Sequence, residues 1–178
     1  MAEKDKEASE LFRKFSHRLY STALRITLSE DEAEEIMQET LIRYISGSGR
    51  IRTGSEAGIW SWLKSTCVHL SIDWLRRRKR FVNLDKAEDD GGSWELQEEE
   101  EKVWDMLDGK VFPTVMKLIS EMPDGYRTIL TLRLIEGYGY PETAALLGIS
   151  ESGVRSQYMR GRKMLADRVM AEIKKGRI

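Results

Sequence analysis

Two sets of side chains in this 178-residue sequence are placed to do chemistry, and both would do it on a polyanion. The first is "DWLRRRKR", residues 73–80, where five successive cations, Arg76 to Arg80, follow an aromatic-studded apolar stretch. The second is "ESGVRSQYMRGRK", residues 151–163, where cations recur along what reads as a helix. Bond-making chemistry has little to stand on. His17 and His69 lie far apart, and neither sits in a metal-ligand pattern. Cys67 precedes His69 by two residues, so on a helix their side chains diverge by roughly 200°. A single cysteine excludes an internal disulfide and leaves too few thiols for a structural zinc site. "GYG" at 137–139 follows a helical pattern and lacks the strand-first context of a nucleotide loop. The expectation is a chain that is not an enzyme and needs no cofactor or metal.

The whole chain carries a formal charge of −1, with 33% charged and 40% apolar residues. That composition fits a soluble, helix-rich protein and argues against a freestanding nucleic-acid binder, which shows a basic excess. The charge is segregated, with cations at Arg76–Arg80 and in the last 25 or so residues and anions between them. If the chain touches DNA it does so locally, with something else supplying much of the affinity. No apolar run approaches the ~20 residues that cross a bilayer, and "MAEKDKEASELF" lacks the order of a secretory signal. A cytoplasmic location is expected.

These side chains must be carried by helices. Leu11, Phe15, Leu19, Ala23 and Ile26 recur at helical spacing, and Ser29 with Glu32 offers a capping box for a second helix. That helix buries Ala33, Ile36, Met37, Thr40, Leu41, Tyr44 and Ile45. After the glycine-rich "SGSGRIRTGSEAG", a long helix is predicted from Glu56 to Arg80, capped by Ser55, with a core stripe of Ile59, Leu63, Thr66, Cys67, Leu70 and Trp74. "DKAEDDGGSWELQEEEE" is too acidic and too poor in apolar residues to fold alone, and reads as a flexible linker. Beyond it, Val115, Leu118, Ile119 and Met122 face inward, Pro123-Asp124-Gly125 reads as a turn, and a helix from Tyr126 to Glu136 is closed by Gly137. The fold class is therefore all-α: two small helical domains, 1–84 and 105–178, joined by an acidic linker, 85–104.

The most informative segment is "YPETAALLGISESGVRSQYMRGRKML". Ala144, Gly148 four residues on and Val154 six beyond that are spaced as in a helix-turn-helix, where the turn is tight and the helices touch. Ser150 caps the second helix, and Tyr158, Gly161 and Leu165 continue its core face. Its outer face then carries Glu151, Ser152, Arg155, Ser156, Met159, Arg160, Arg162 and Lys163. Arginine can bridge a guanine edge, serine is adaptable, and the later cations suit phosphate. The same pattern also fits an ordinary amphipathic helix with a solvated basic side.

Four blocks in order resemble a bacterial RNA polymerase sigma factor of the compact, two-domain extracytoplasmic-function (ECF) type: "LYSTALRITLSEDEAEEIMQETLIRYI", "WSWLKSTCVHLSIDWLRRRKR", "EMPDGYRTILTLRLIEGYGYPETAALLGIS" and "ESGVRSQYMRGRKML". The resemblance implies an alternative sigma factor that binds core RNA polymerase and promoter DNA, with an anti-sigma factor as a candidate partner. It implies polymerase docking through Glu35, Gln38, Glu39 and Ile42, which share one face of the second helix; a solvated acidic face is the competing reading. It implies downstream-element contacts from Arg50, Ile51 and Arg52 in the glycine-rich loop. On the long helix it implies the same of Trp60, Trp62, Lys64, His69, Arg76, Arg77 and Arg80. Flipped bases need planar partners and their phosphates need cations. Core packing is the alternative for both tryptophans, with Trp60 expected to be the more exposed. Upstream-element reading falls to Glu151, Ser152, Arg155, Ser156, Met159, Arg160 and Lys163. In the linker, Asp89, Asp90 and Glu98–Glu101 suit a groove built for nucleic acid, or a solvated tether.

The chain departs from the family at His69, where an Asn is usual, at Thr143, where a branched apolar residue is usual, and at Gln157, where Arg is common. A freestanding helix-turn-helix regulator is the rival reading. It would bind duplex DNA tightly as a dimer without polymerase.

Overall fold

The computed structural model describes residues 2–48, 55–78 and 111–177, and the chain divides into two compact units, Met1–Arg80 and Phe81–Ile178. Among the described residues every regular element is helical. The linker residues 85–104, the loop residues Arg50, Ile51 and Arg52, and Arg80 lie outside them.

The first unit packs three helices, α1 (Ala2–Thr27), α2 (Glu30–Arg43) and α3 (Glu56–Arg77), each against the other two. Leu11, Phe15, Leu19, Ala23 and Ile26 of α1 are buried, as their spacing predicts, against Ala33, Ile36, Met37, Leu41 and Tyr44. The buried face of α3 is wider than the predicted stripe. It holds Leu63, Cys67, Val68, Ser71, Ile72, Trp74 and Leu75, while Ile59, Thr66 and Leu70 are half-buried. A helix that faces two neighbours buries more than one stripe. Ser29 caps α2 by accepting from the Glu32 N–H at 3.4 Å. The reciprocal half of the expected capping box is replaced, because Thr27 Oγ1 accepts the Ser29 N–H at 3.3 Å. Ser55 caps α3 by accepting from the Gly58 N–H at 3.2 Å.

The second unit contains α4 (Phe112–Ser120), α5 (Asp124–Leu130), α6 (Tyr140–Leu147) and α7 (Glu151–Lys174). Residues Thr131–Ile135 continue α5 as wider turns, with the Glu136 N–H reaching back five residues to the Thr131 carbonyl. Pro123-Asp124-Gly125 is not the separate turn expected. Pro123 is the N-cap and Asp124 already lies in the first turn of α5. The reason is an ion pair: Asp124 Oδ1 meets Arg127 Nη2 at 2.6 Å, three residues on, where the arginine side chain is only 4% exposed. Arg127 Nη1 also donates to the Met122 carbonyl. An acidic first-turn residue suits the helix dipole as well.

Gly148, at φ 69°, closes α6 in the left-handed conformation that a glycine adopts freely. Ser150 then opens α7 by accepting from the Gly153 N–H at 3.1 Å. Ala144, Val154, Tyr158 and Leu165 are buried where the helix-turn-helix spacing places them. Gly161 lies where α7 packs on α5: a Cβ there would lie 3.4 Å from both Leu130 and Tyr126.

Thr143, fully buried in α6, has a hydroxyl with no hydrogen-bond partner. A buried orphan hydroxyl is a cost that an isosteric methyl removes. Thr143→Val is therefore expected to stabilise the second unit by about 1 kcal/mol, raising its melting temperature by roughly 4–8 °C. Thermal unfolding followed by circular dichroism checks this, and a lowered midpoint would contradict it.

Candidate nucleic-acid and protein interfaces

On α2, the acidic first turn and a buried inner face leave Glu35, Gln38 and Ile42 exposed, with Glu39 half-exposed beside them. The four share one side of the helix, as their spacing predicts. Glu39 is engaged with Arg43 at 2.7 Å, and Gln38 donates to Glu34 at 3.2 Å. Ile42 is 58% exposed. A groove beside this face is lined by Glu35, Glu39, Ile42 and Arg43 together with Leu70 and Arg77 of α3. Arg77, expected among the DNA contacts, thus stands next to the acidic face. A second, apolar groove runs from Ala8 and Phe12 on α1 to Leu41, Ile42 and Ile45. Phe12, 52% exposed, is a surface residue that sequence reasoning missed. Its only signal was that it lies off the Leu11–Phe15–Leu19 stripe.

Along α3, His69, Arg76 and Arg77 are exposed and Lys64 is half-buried. His69 Nδ1 lies 2.7 Å from the Ser65 carbonyl, and Arg76 pairs with Asp73 at 3.2 Å. The tryptophans are more engaged than expected. Trp60 is half-buried, stacked on Phe15 at 6.0 Å, with the Arg18 guanidinium 3.7 Å from its ring centre. Trp62 is half-buried too, its ring edge-on to Tyr44 at 5.6 Å. The expectation of an exposed Trp60 is corrected: it is half-buried, and α1 holds it from two residues one turn apart.

In the second unit, Glu151, Ser152, Arg155 and Lys163 stand exposed on α7, and Met159 and Arg160 are half-buried. Ser156 is only 8% exposed, which corrects its placement on the outer face. Its two-atom side chain does not clear the longer neighbours around it. Arg162 is also less free than expected, half-buried with its guanidinium 5.7 Å from the Tyr158 ring. Burial pushes the Tyr158 phenol above its usual range, opposed by the nearby Arg162 charge. Tyr140 and Arg133, which no sequence pattern singled out, complete a cluster of rings and guanidiniums beside Arg155.

Among the described residues, no group of three or more His, Cys, Asp or Glu is disposed to hold a metal ion. No helix among them is long and apolar enough to cross a membrane.

A three-helix unit with an exposed acidic face, followed by a unit built on a helix-turn-helix, is the arrangement of a two-domain transcription initiation factor. The profile of Sigma-70 region 2 matches residues 11–81 and that of Sigma-70, region 4 matches residues 114–165. The chain is 29% identical over 159 residues to the ECF RNA polymerase sigma factor SigE of Mycolicibacterium smegmatis, covering 89% of this chain and 60% of that protein. It is 28% identical to the RNA polymerase sigma-H factor of Pseudomonas aeruginosa, covering 90% of this chain and 86% of that one. With the ECF RNA polymerase sigma factor SigM of Bacillus subtilis it shares 27% identity over 88% and 91% of the two chains. The sigma factor RpoE, solved in complex with the anti-sigma factor NepR from Bartonella quintana, shares the fold at TM-score 0.55 and 19% identity, over 91% of this chain and 96% of that one. The chain belongs to the sigma-70 family, and within it to the extracytoplasmic-function group.

The engagement of Trp60 carries an energetic consequence. Trp60→Ala removes the contacts with Phe15 and Arg18 and is expected to destabilise the first unit by about 2 kcal/mol, less than a fully buried tryptophan would. The urea midpoint measured by circular dichroism tests this; an unchanged midpoint would show that the ring does not hold α1.

Proposed function

We propose a division of labour between the two units of this ECF sigma factor, which directs promoter-specific transcription initiation with core RNA polymerase. Residues 1–84 dock on polymerase and engage the downstream promoter element. Residues 85–104 link, and residues 105–178 read the upstream element. Docking uses Glu35, Gln38, Glu39 and Ile42, an acidic stripe with one exposed apolar residue, suited to a basic helical partner. Downstream contacts use Lys64, His69, Arg76 and Arg77 of α3, with Trp60 and Trp62 shaping the helix start as much as meeting bases. Upstream contacts use Glu151, Ser152, Arg155, Met159, Arg160 and Lys163. Catalysis belongs to the polymerase, the factor works in the cytoplasm where that enzyme is, and an anti-sigma protein is a candidate partner.

The observation that carries this reading is the order of two units in one chain, matched to regions 2 and 4 of sigma-70. Near-neutral charge supports it further. The acidic linker offsets the cations of the two units to a formal net charge of −1 for the whole chain, and tethering both units on one enzyme raises their effective concentration.

In vitro transcription with core polymerase, with and without the chain, followed by mapping of start sites, tests the function. New start sites that depend on the chain are expected. Reversing charge in the double variant Glu35→Lys/Glu39→Lys should weaken polymerase binding by roughly 30-fold or more, about 2 kcal/mol, with an unchanged helical spectrum. Binding at the original strength would remove α2 as the docking face.

A further inference from the structure

Arg155 is the exposed arginine of α7 placed to meet upstream DNA, yet its guanidinium is not left to wander. It lies 4.2 Å from the centre of the Tyr140 ring, which sits at the start of α6. Tyr140 is itself held. Its ring meets Tyr158 edge-on at 5.9 Å, and the Arg133 guanidinium lies 4.0 Å from its centre. Arg133 is committed internally, donating to the Tyr138 carbonyl and lying 5.2 Å from the Tyr158 ring. Tyr158 belongs to the buried face of α7. The core of the unit therefore fixes Tyr158 and Arg133, these fix Tyr140, and Tyr140 meets Arg155.

We propose that Tyr140 is a positioning residue for Arg155, stacking its guanidinium so that the DNA-facing arginine is ordered before DNA arrives. The chemistry supports a ring in this role. Stacking uses the flat face of a guanidinium and leaves its five N–H donors, which lie in the plane, available to a base edge or a phosphate. A long side chain ordered in advance loses less freedom on binding than one recruited from solution. A methylene chain or an amide at position 140 could fill space but could not stack in this way. The phenol oxygen is not needed, so phenylalanine should serve as well.

This inference rests on the proposed role of Arg155 in upstream recognition, and a double-mutant cycle separates the two. The full chain bound to core polymerase is titrated onto a duplex whose upstream element has been selected from a randomised library by the same complex. Arg155→Ala should weaken binding; no effect would sink the role of Arg155 itself. Tyr140→Leu should weaken binding by about two- to fivefold, the range expected for one exposed cation–π contact. In the Arg155→Ala background Tyr140→Leu should change nothing further, and Tyr140→Phe should bind as the unaltered chain does. A loss from Tyr140→Leu that persists in the Arg155→Ala background would overturn the proposal, since Tyr140 would then act on the fold or on DNA directly. Retained binding by Tyr140→Leu alone would overturn it as well. Circular dichroism monitors folding of each variant, and Tyr140→Gln replaces the leucine variant if that one unfolds.

Discussion

Everything the second unit offers to solution depends on how closely α7 crosses α5. At Gly161 a single added carbon would already touch Leu130 and Tyr126. That contact seats Val154, Tyr158, Leu165 and Val169 in the core and so decides which side of α7 faces outward. The left-handed Gly148 sets the other boundary, because it turns the chain from α6 into α7 within a few residues. Between a tight turn and a tight crossing, the rotation of α7 about its own axis is fixed. Arg155 and Lys163 are outside because other residues have no choice but to be inside.

The first unit solves a different problem, that of presenting two helices with unlike charge. Its three helices close around Phe15, Leu19, Leu63, Val68 and Leu75, and none of these can move without opening a cavity. The acidic outer side of α2 and the basic end of α3 then lie close enough for Glu35 and Arg77 to line one groove. One small unit thus carries opposite charges on adjacent surfaces.

The helices were legible in the sequence because their signals are local. Serine caps at 29, 55 and 150, glycine stops at 137 and 148, and the α1 stripe all act within a few residues of one another. What escaped was set by contacts between helices. The buried arc of α3 broadened to include Val68, Ile72 and Leu75 because α1 and α2 both press on it. Trp60 and Ser156 were misplaced for the same reason: exposure depends on what stands beside a residue in space. Tyr140 and Arg133 lie 15 and 22 residues from Arg155, and no periodicity links them. The start of α5 at Asp124 was hidden by its partner, since only the burial of Arg127 gives that ion pair its importance. At the interfaces, residue types were readable while their availability was not.

The pairing of Glu39 with Arg43 has a consequence for the speed of encounter. Long-range attraction depends on net field, and a carboxylate already neutralised by a guanidinium 2.7 Å away adds little of it. In the proposed docking, Glu35 and the acidic first turn of α2 would draw in a basic partner from a distance, whereas Glu39 would act only after contact, by exchanging one cation for another. Ionic strength would then slow the approach less than a tally of carboxylates on this helix suggests.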